Sequence, residues 1–333
     1  MIDASVVIVS YNTRDLLRDC LGSVSAGCGD LRTETFVVDN ASPDGSCDMV
    51  AQEFPAVRLV RNPCNAGFAA ANNIVLRKAA GRYVVLLNPD TVLSAGALPE
   101  LMRFMDATPA AGYCGPRLLN ADGSHQPSAR RFPTTLSGAF AMLSLGHHRP
   151  NSRHALDLHR MHGDRSRFRT DWLTGACLVV RTEAMRQVGD LNEGFFMYFE
   201  ETDWCRRMAS AGWEGWYVPS AEVVHLGGAS VGLNETEAPF FGNHPSYWVS
   251  SRCRYMRRHH GVVGMLICES LDVALYAALW LRHRWRATPE SRLKARRAST
   301  ALRHLLQRNH RAATVRERRT IATPRQLTHG RSP

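Results

Sequence analysis

Four short stretches hold the residues able to do chemistry in this chain. Asp39-Asn40 and Asn88-Pro89-Asp90 each set a carboxylate behind an apolar run. Glu200-Glu201-Thr202-Asp203 packs three acids into four residues behind the aromatic run Phe195-Phe196-Met197-Tyr198-Phe199, and His225 closes Glu222-Val223-Val224-His225. Mg2+ and Mn2+ favour carboxylate oxygens and take few protein ligands when a phosphate supplies the rest, so Asp90 is suited to hold a divalent cation against a diphosphate. A neutral His225 could complete that sphere, or serve as an ordinary polar strand end. Asp39 is suited to accept hydrogen bonds from a base or a ribose. The acids at 200–203 suit a general base at the mouth of a site; they equally suit the first turn of a helix, where the dipole favours negative charge.

The elements needed to position these groups are legible in the pattern. The run from Tyr83 to Leu87 is continuous and apolar, as expected of a strand buried on both faces of a parallel sheet. Pro89 cannot continue a central ladder, so Asp90 lies at the carboxyl edge, where open α/β sheets place their ligand crevice. Strands at 5–10, 35–39 and 57–60 alternate with helices from Arg14 to Leu21, to about Phe54, and from Asn65-Ala66-Gly67 to about Ala80. That alternation indicates βα units, with Asn12 or Thr13 as the first N-cap. Right-handed crossovers then gather Tyr11/Asn12, Asp39/Asn40 and Asn88/Asp90 on one edge. Gly67 either lets backbone approach a ligand or punctuates its helix. Beyond these units, Tyr113–Pro116 reads as a strand end, 120–123 as a turn, and Arg130-Arg131 as two cations near a bend. Residues 147–169 read as a surface loop, either a lid or a solvated connector. One or two buried strands follow at 171–181, a helix at 200–211, and two short strands at 216–219 and 222–225. No G-x-G-x-x-G or Walker pattern occurs, which disfavours dinucleotide and P-loop readings.

Charge is unevenly distributed. The net charge is +11, yet from Leu281 onward there are 15 Lys/Arg against 2 Asp/Glu, so the first 280 residues are close to neutral. Any partner chosen by charge meets the tail. Nine cysteines without a Cys-x-x-Cys pair fit reduced thiols in a cytosolic protein, and the start of the chain shows no signal-peptide pattern.

Seven motifs in order, Ser-Tyr-Asn (10–12), Val-Asp-Asn-Ala-Ser (38–42), Asn-x-Gly-Phe-Ala (65–69), Asn-Pro-Asp (88–90), Trp-Leu-Thr-Gly-Ala-Cys (172–177), Phe-Glu-Glu-Thr-Asp-Trp-Cys (199–205) and His-Leu-Gly-Gly-x-Ser (225–230), resemble family 2 inverting glycosyltransferases. The nearest subgroup is that of bacterial rhamnosyltransferase and galactofuranosyltransferase-like enzymes. The resemblance implies an α/β, Rossmann-like GT-A fold, a mostly parallel sheet with helices on both faces and a basic helical C-terminal extension. It implies a domain over 1–260, its nucleotide-binding half at 1–110 and its acceptor half at 111–260, followed by residues 261–333. It also implies a nucleotide-sugar donor (dTDP or UDP, best read as dTDP-rhamnose), a divalent cation, Mg2+ or Mn2+, and a saccharide or lipid-linked saccharide acceptor in cell-envelope synthesis at the inner face of the membrane. Donor contacts fall on Ser10, Tyr11, Asn12, Asp39, Asn40, Asn65, Gly67, Asn88 and Asp90. Acceptor or diphosphate contacts fall on Arg130, Arg131, Trp172, Gly175, Glu200 and Trp204. Asn88 stands where the Asp-x-Asp motif has its first acid, leaving Asp90 to carry the metal with His225. The base is Glu201 or Asp203.

Residues 261–281 form the most hydrophobic long stretch, interrupted by Glu269 and Asp272 on one helix face. That spacing favours an amphipathic helix, interfacial or packed, over a spanning one. The cationic tail suits anionic head groups. A nucleotidyltransferase and a nucleic-acid-binding protein are the alternatives; the tail carries few aromatics and the body is slightly acidic, so no nucleic acid is expected.

Overall fold

The computed structural model describes residues 1–227, 246–286 and 288–306; Gly228, Ser230 and the tail beyond 306 lie outside the described residues. The first half alternates β1 (Ala4–Ser10), α1 (Arg14–Cys28), β2 (Thr33–Asp39), α2 (Ser46–Glu53), β3 (Arg58–Arg61), α3 (Phe68–Leu76), β4 (Tyr83–Leu87), β5 (Thr91–Leu93) and α4 (Ala97–Ala107). Then come β6 (Ala111–Leu119), β7 (His125–Gln126), β8 (Ala129–Arg130), α5 (Ser137–Met142), α6 (Leu145–His148), α7 (His159–His162), β9 (Phe168–Thr170), β10 (Trp172–Leu173) and β11 (Cys177–Arg181). The chain continues through α8 (Thr182–Val188), α9 (Glu200–Ser210), β12 (Glu214–His225), α10 (Ser246–Arg284) and α11 (Pro289–Leu306).

The main sheet runs β3-β2-β1-β4-β11-β6-β12-β5. Its N-terminal strands β3, β2, β1 and β4 are all parallel, whereas β11 is antiparallel to both neighbours and the second half is mixed. Side chains alternate across the pleat. Val6, Ile8, Tyr83, Val85 and Leu87 enter a core with α1, α2 and α4. Val7, Val9, Val84 and Leu86 enter a second core with α3, α8 and α9. A sheet covered on both faces is why these strands read as unbroken apolar runs.

Three expectations need correction. The two short strands at 216–219 and 222–225 are one strand, β12, whose register against β6 shifts between Val218 and Glu222. Pro219 sits in that irregularity, where a missing N–H costs no ladder bond. Residues 147–169 are not a surface loop: Ala155, Leu158, His159 and Phe168 are buried, and His159 Nε2 accepts the backbone N–H groups of Ser128 and Ala129 at 3.2 and 3.0 Å. Arginine and histidine composition hid a segment held by polar contacts rather than apolar periodicity. Finally, Glu269 and Asp272 do not face water. α10 kinks at Gly261 (φ 71°) and folds back, so Asp272 pairs with buried Arg252, and Cys253 Sγ donates to Glu269 Oε1 at 2.6 Å.

The chain after α8 is fastened to the N-terminal half through Asn73 and Arg77, which hold residues 190–193, and at Gly67. Phe68 N–H donates to the Phe196 carbonyl at 2.7 Å, and a Cβ on Gly67 would stand 2.3 Å from that same oxygen. Gly67 also has φ 84°, a conformation that side chains strain. Gly67→Ala is therefore expected to destabilise the fold by about 2–4 kcal/mol, read as a lowered denaturant midpoint with an unchanged slope.

Candidate active site

Parallel pairing aligns Ser10 with Asp39 across β1 and β2, so both strands deliver polar residues to one edge. Asp39 is 3% exposed; its Oδ2 accepts the Ser42 N–H at 3.0 Å, while Oδ1 is buried with no hydrogen-bond partner. Such an oxygen is costly unless a ligand completes it. Asn40 is spent differently. Its Nδ2 donates to Asn65 Oδ1 (3.1 Å) and the Gly67 carbonyl (3.3 Å), and its Oδ1 accepts Asn62 Nδ2 (2.8 Å) and the Ala66 N–H (3.3 Å). With that amide saturated, Asn40 and Asn65 shape the loop leading to α3. Ser10 Oγ likewise bonds Thr13 Oγ1 at 2.9 Å, and Asn12 N–H bonds Ser42 Oγ at 3.0 Å. Tyr11 is 40% exposed above them, free to stack on a base.

The second polar group gathers behind β4. The Asn88 N–H donates to the Ala176 carbonyl at 2.9 Å, and Leu226 N–H to the Asp90 carbonyl at 2.9 Å. These bonds set the ends of β4, β11 and β12 side by side. His225 Nε2 lies 3.4 Å from Asp90 Oδ1 and 3.5 Å from Asn88 Nδ2. Gln126 Nε2 donates to Asn120 Oδ1 (3.0 Å) and the His225 carbonyl (3.4 Å), which leaves Gln126 Oε1 to accept from His225 Nδ1 at 2.7 Å. That bond puts the ring proton on Nδ1 and turns the Nε2 lone pair toward Asp90. Asp90 Oδ1 is buried without a hydrogen-bond partner. Two electron-rich atoms facing each other in a dry site fit a cation between them. Among the described residues no third His, Cys, Asp or Glu joins them, as suits an ion that takes its remaining ligands from phosphate and water.

Gly175, next to Ala176, carries the same edge to the acids: its Cβ position would be 3.8 Å from Glu201 Cγ. Glu201 Oε2 is buried and has no hydrogen-bond partner. Burial pushes the Glu201 carboxyl up to about 7, against opposing pulls from backbone N–H groups and the Arg130 charge. Glu200, 5% exposed, is pushed up further by burial and by its neighbour Glu201. Asp203, two positions on, goes the other way. It is fully buried, but Arg207 Nε (2.9 Å), Arg258 Nε (3.0 Å) and His259 Nε2 (2.8 Å) surround it. Those partners overcome burial and hold its carboxyl below the ordinary value.

The remaining expected residues divide. Arg130 lies over the Trp172 ring at 5.9 Å and acts on Glu201, so both belong to the pocket. Arg131 does not: its Nη1 donates to the carbonyls of Pro150, Ser152 and Ala155, which uses the guanidinium to fold residues 150–155. Trp204 is fully buried and donates to the Gly189 carbonyl at 2.8 Å, a core role. Sequence reasoning missed Gln126, which has no motif to mark it, and missed the backbone strain. Among the described residues five non-glycines have positive φ, and Asn12, Ala41, Tyr198 and Phe199 of these flank the site. Strain of this kind persists where surrounding structure enforces it, commonly at functional sites.

Comparison with known proteins follows the geometry. The sequence model of glycosyl transferase family 2 matches residues 5–174. The chain is 33% identical over 238 residues to an N-acetylglucosaminyl-diphospho-decaprenol L-rhamnosyltransferase of Mycobacterium tuberculosis, covering 68% of this chain and 77% of that protein. It is 24% identical to rhamnosyltransferase WbbL of Escherichia coli K12, covering 76% of this chain and 92% of that one. The crystal structure of S. aureus TarS shares the fold at TM-score 0.51 and 13% identity, over 86% of this chain and 44% of TarS. The α/β sheet with its two helical layers is the GT-A arrangement.

The opposite settings of Glu201 and Asp203 generate a stability test. Asp203→Asn takes the shared carboxylate from mostly buried Arg207, from Arg258 and from His259, and should cost about 3–5 kcal/mol at pH 7. Asp203 stabilises above its ordinary titration and the contribution is lost as pH falls, so the two proteins should converge in acid. Glu201→Gln should leave the denaturant midpoint unchanged or raised at pH 8, because it removes a charge that burial opposes.

Proposed function

The chain belongs to glycosyl transferase family 2, and on that premise we propose that it is an inverting transferase moving a sugar from a nucleoside-diphosphate donor to a lipid-linked saccharide in cell-envelope polysaccharide synthesis. The rhamnosyltransferases among its relatives favour L-rhamnose from dTDP-rhamnose as the donor. One observation carries the reading: Glu201 presents a buried, unpartnered carboxylate oxygen beside Gly175, on the strand edge that also carries Asn88 and Asp90.

Each residue then has a task. Asp39 Oδ1 accepts from the donor's base or ribose, and Tyr11 covers it. Asp90 and His225 hold a divalent cation, which supplies positive charge to the departing diphosphate when bound. Arg130 adds a second positive charge near the sugar. Glu201 takes the proton of the acceptor hydroxyl as that oxygen attacks the anomeric carbon opposite the leaving group. A base with a pKa near 7 is ionised at working pH yet still basic enough to accept a proton, a contribution of about 10²–10⁴-fold. Asp203, neutralised by its cations, is too weak a base for this task and holds α9 in place. Family membership sets aside the nucleotidyltransferase alternative.

Glu201→Gln is expected to lower transfer at least about 100-fold while nucleotide-sugar affinity stays within about twofold. Because Glu201 must be ionised, wild-type kcat/KM should climb as pH rises through about 7 and then level off. A rate independent of pH from 5 to 8 would remove Glu201 from the role. Asp90→Asn should raise the Mn2+ or Mg2+ concentration needed for nucleotide release by about tenfold or more, measured over a panel of nucleotide sugars.

A further inference from the structure

α10 is inverted relative to an ordinary surface helix. Its second arm, residues 262–284, turns its polar groups inward: Asp272 pairs with Arg252, Arg252 Nη2 donates to Cys268 Sγ at 3.0 Å, and Glu269 accepts from Cys253. Met265, Cys268 and Tyr276 are buried with them, but part of its apolar surface turns outward. Val262 is 52% exposed, Val263 70%, Leu266 52%, Ile267 47%, Leu281 54%, and Trp285, just past the helix, 80%. At helical spacing Val262, Val263, Leu266 and Ile267 make one apolar patch, and exposed Ser270, Ala274 and Ala278 carry the same face on to Leu281. Exposed Arg282, Arg284 and Arg286 stand at its far end, where the Arg284 guanidinium lies 4.3 Å from both the Trp280 and Trp285 ring centroids.

We propose that this outward face and its arginine end dock the protein flat onto an anionic lipid leaflet. The sequence pattern pointed to lipid through the tail and left residues 261–281 as an interfacial or a packed helix; the structure assigns the contact to one exposed face of α10. Charge chooses the occupant: an apolar strip ending in arginines and an amphipathic tryptophan matches acyl chains beside anionic head groups. The helix containing it is long and apolar enough to cross a membrane by length and composition. Its fastening argues for lying flat, since an arm that left to span a bilayer would strand Arg252 and Asp272, both buried and paired only across the hairpin. The position makes sense of the lipid-linked acceptor proposed above, on which this purpose rests. His259, which bonds Asp203, is two residues before the Gly261 kink, so the face begins close to the helix that carries Glu201.

The test uses the full chain and vesicles of equal parts phosphatidylglycerol and phosphatidylcholine, read by flotation. Wild type should float, and Val263→Glu/Ile267→Glu should reduce the bound fraction more than about tenfold. Arg284→Gln/Arg286→Gln should weaken binding at low salt and matter less at high salt. Nucleotide release from the donor, measured in parallel without vesicles, should be unchanged in both variants; its absence in wild type would count against the transferase reading and not against the surface. Unchanged flotation of Val263→Glu/Ile267→Glu would overturn the proposal. So would retention of wild type on membranes after alkaline carbonate washing, which marks a spanning helix, or a wild-type dimer dissolved by the same substitutions, which marks a protein interface.

Discussion

Asp203 draws Arg207 from its own helix and Arg258 and His259 from α10 onto one carboxylate that water does not reach. In so dry a place each partner is needed, because a charge left over costs more than any of the contacts returns. The knot therefore fixes the roll of α9 and the approach of α10 together. Fixing the roll of α9 decides where its first turn points, and the first turn holds Glu200 and Glu201. The same burial that Asp203 offsets with cations is left largely unopposed at Glu201, whose nearest help is backbone N–H groups and Arg130. One helix turn thus sets two carboxyl groups in opposite ways, one held low by its partners and one pushed up by burial.

The sheet edge applies the same logic with different means. Asn40 and Gln126 spend every amide atom on loop and histidine, so neither is available to a ligand, and by being unavailable they aim those that are. Among the described residues, the buried side-chain atoms left without a hydrogen-bond partner include Asp39 Oδ1, Asp90 Oδ1 and Glu201 Oε2. Native interiors rarely leave such atoms without partners. These three, two at strand ends and one in the first turn of α9, flanked by backbone held at positive φ, describe a surface pre-shaped for a cation and for hydrogen-bond donors that are not protein.

Much of this was legible in the sequence, for identifiable reasons. β1, β2 and β4 are buried on both faces, so their apolar runs are unbroken and their ends are sharply marked by Asn12, Asp39 and Pro89. Asp90, His225 and Glu201 could be nominated because charged residues directly behind buried strands or aromatic runs are costly unless used. Illegible were features set by tertiary partners. Arg131 looks as cationic as Arg130, and only its three backbone carbonyls show that it folds residues 150–155. Asp203 and Glu201 are both acids in one helix turn; their difference lies in partners that arrive from more than fifty residues away, Arg258 and His259. Gly67 reads in sequence either as room for backbone to approach a ligand or as helix punctuation; in the fold the Phe196 carbonyl stands in that room.

α10 shows the limit of periodicity most clearly. Glu269 and Asp272 share a face, and a pattern reader assigns that face to water, because a helix is normally assumed to have one core and one solvent. Arg252 reverses the assignment: it lies on the preceding arm, and once Gly261 folds the helix back, pairing buries Arg252 and Asp272 together. Met265, Cys268 and Tyr276 share that interior, while Val262, Val263, Leu266, Ile267 and Leu281 are left outside. An arrangement that hides ion pairs and exposes valine, leucine and isoleucine is unfavourable in water and favourable at an interface whose other side is hydrocarbon. The chemistry proposed for the site and the direction in which this helix faces point to the same substrate surface, though they rest on different residues.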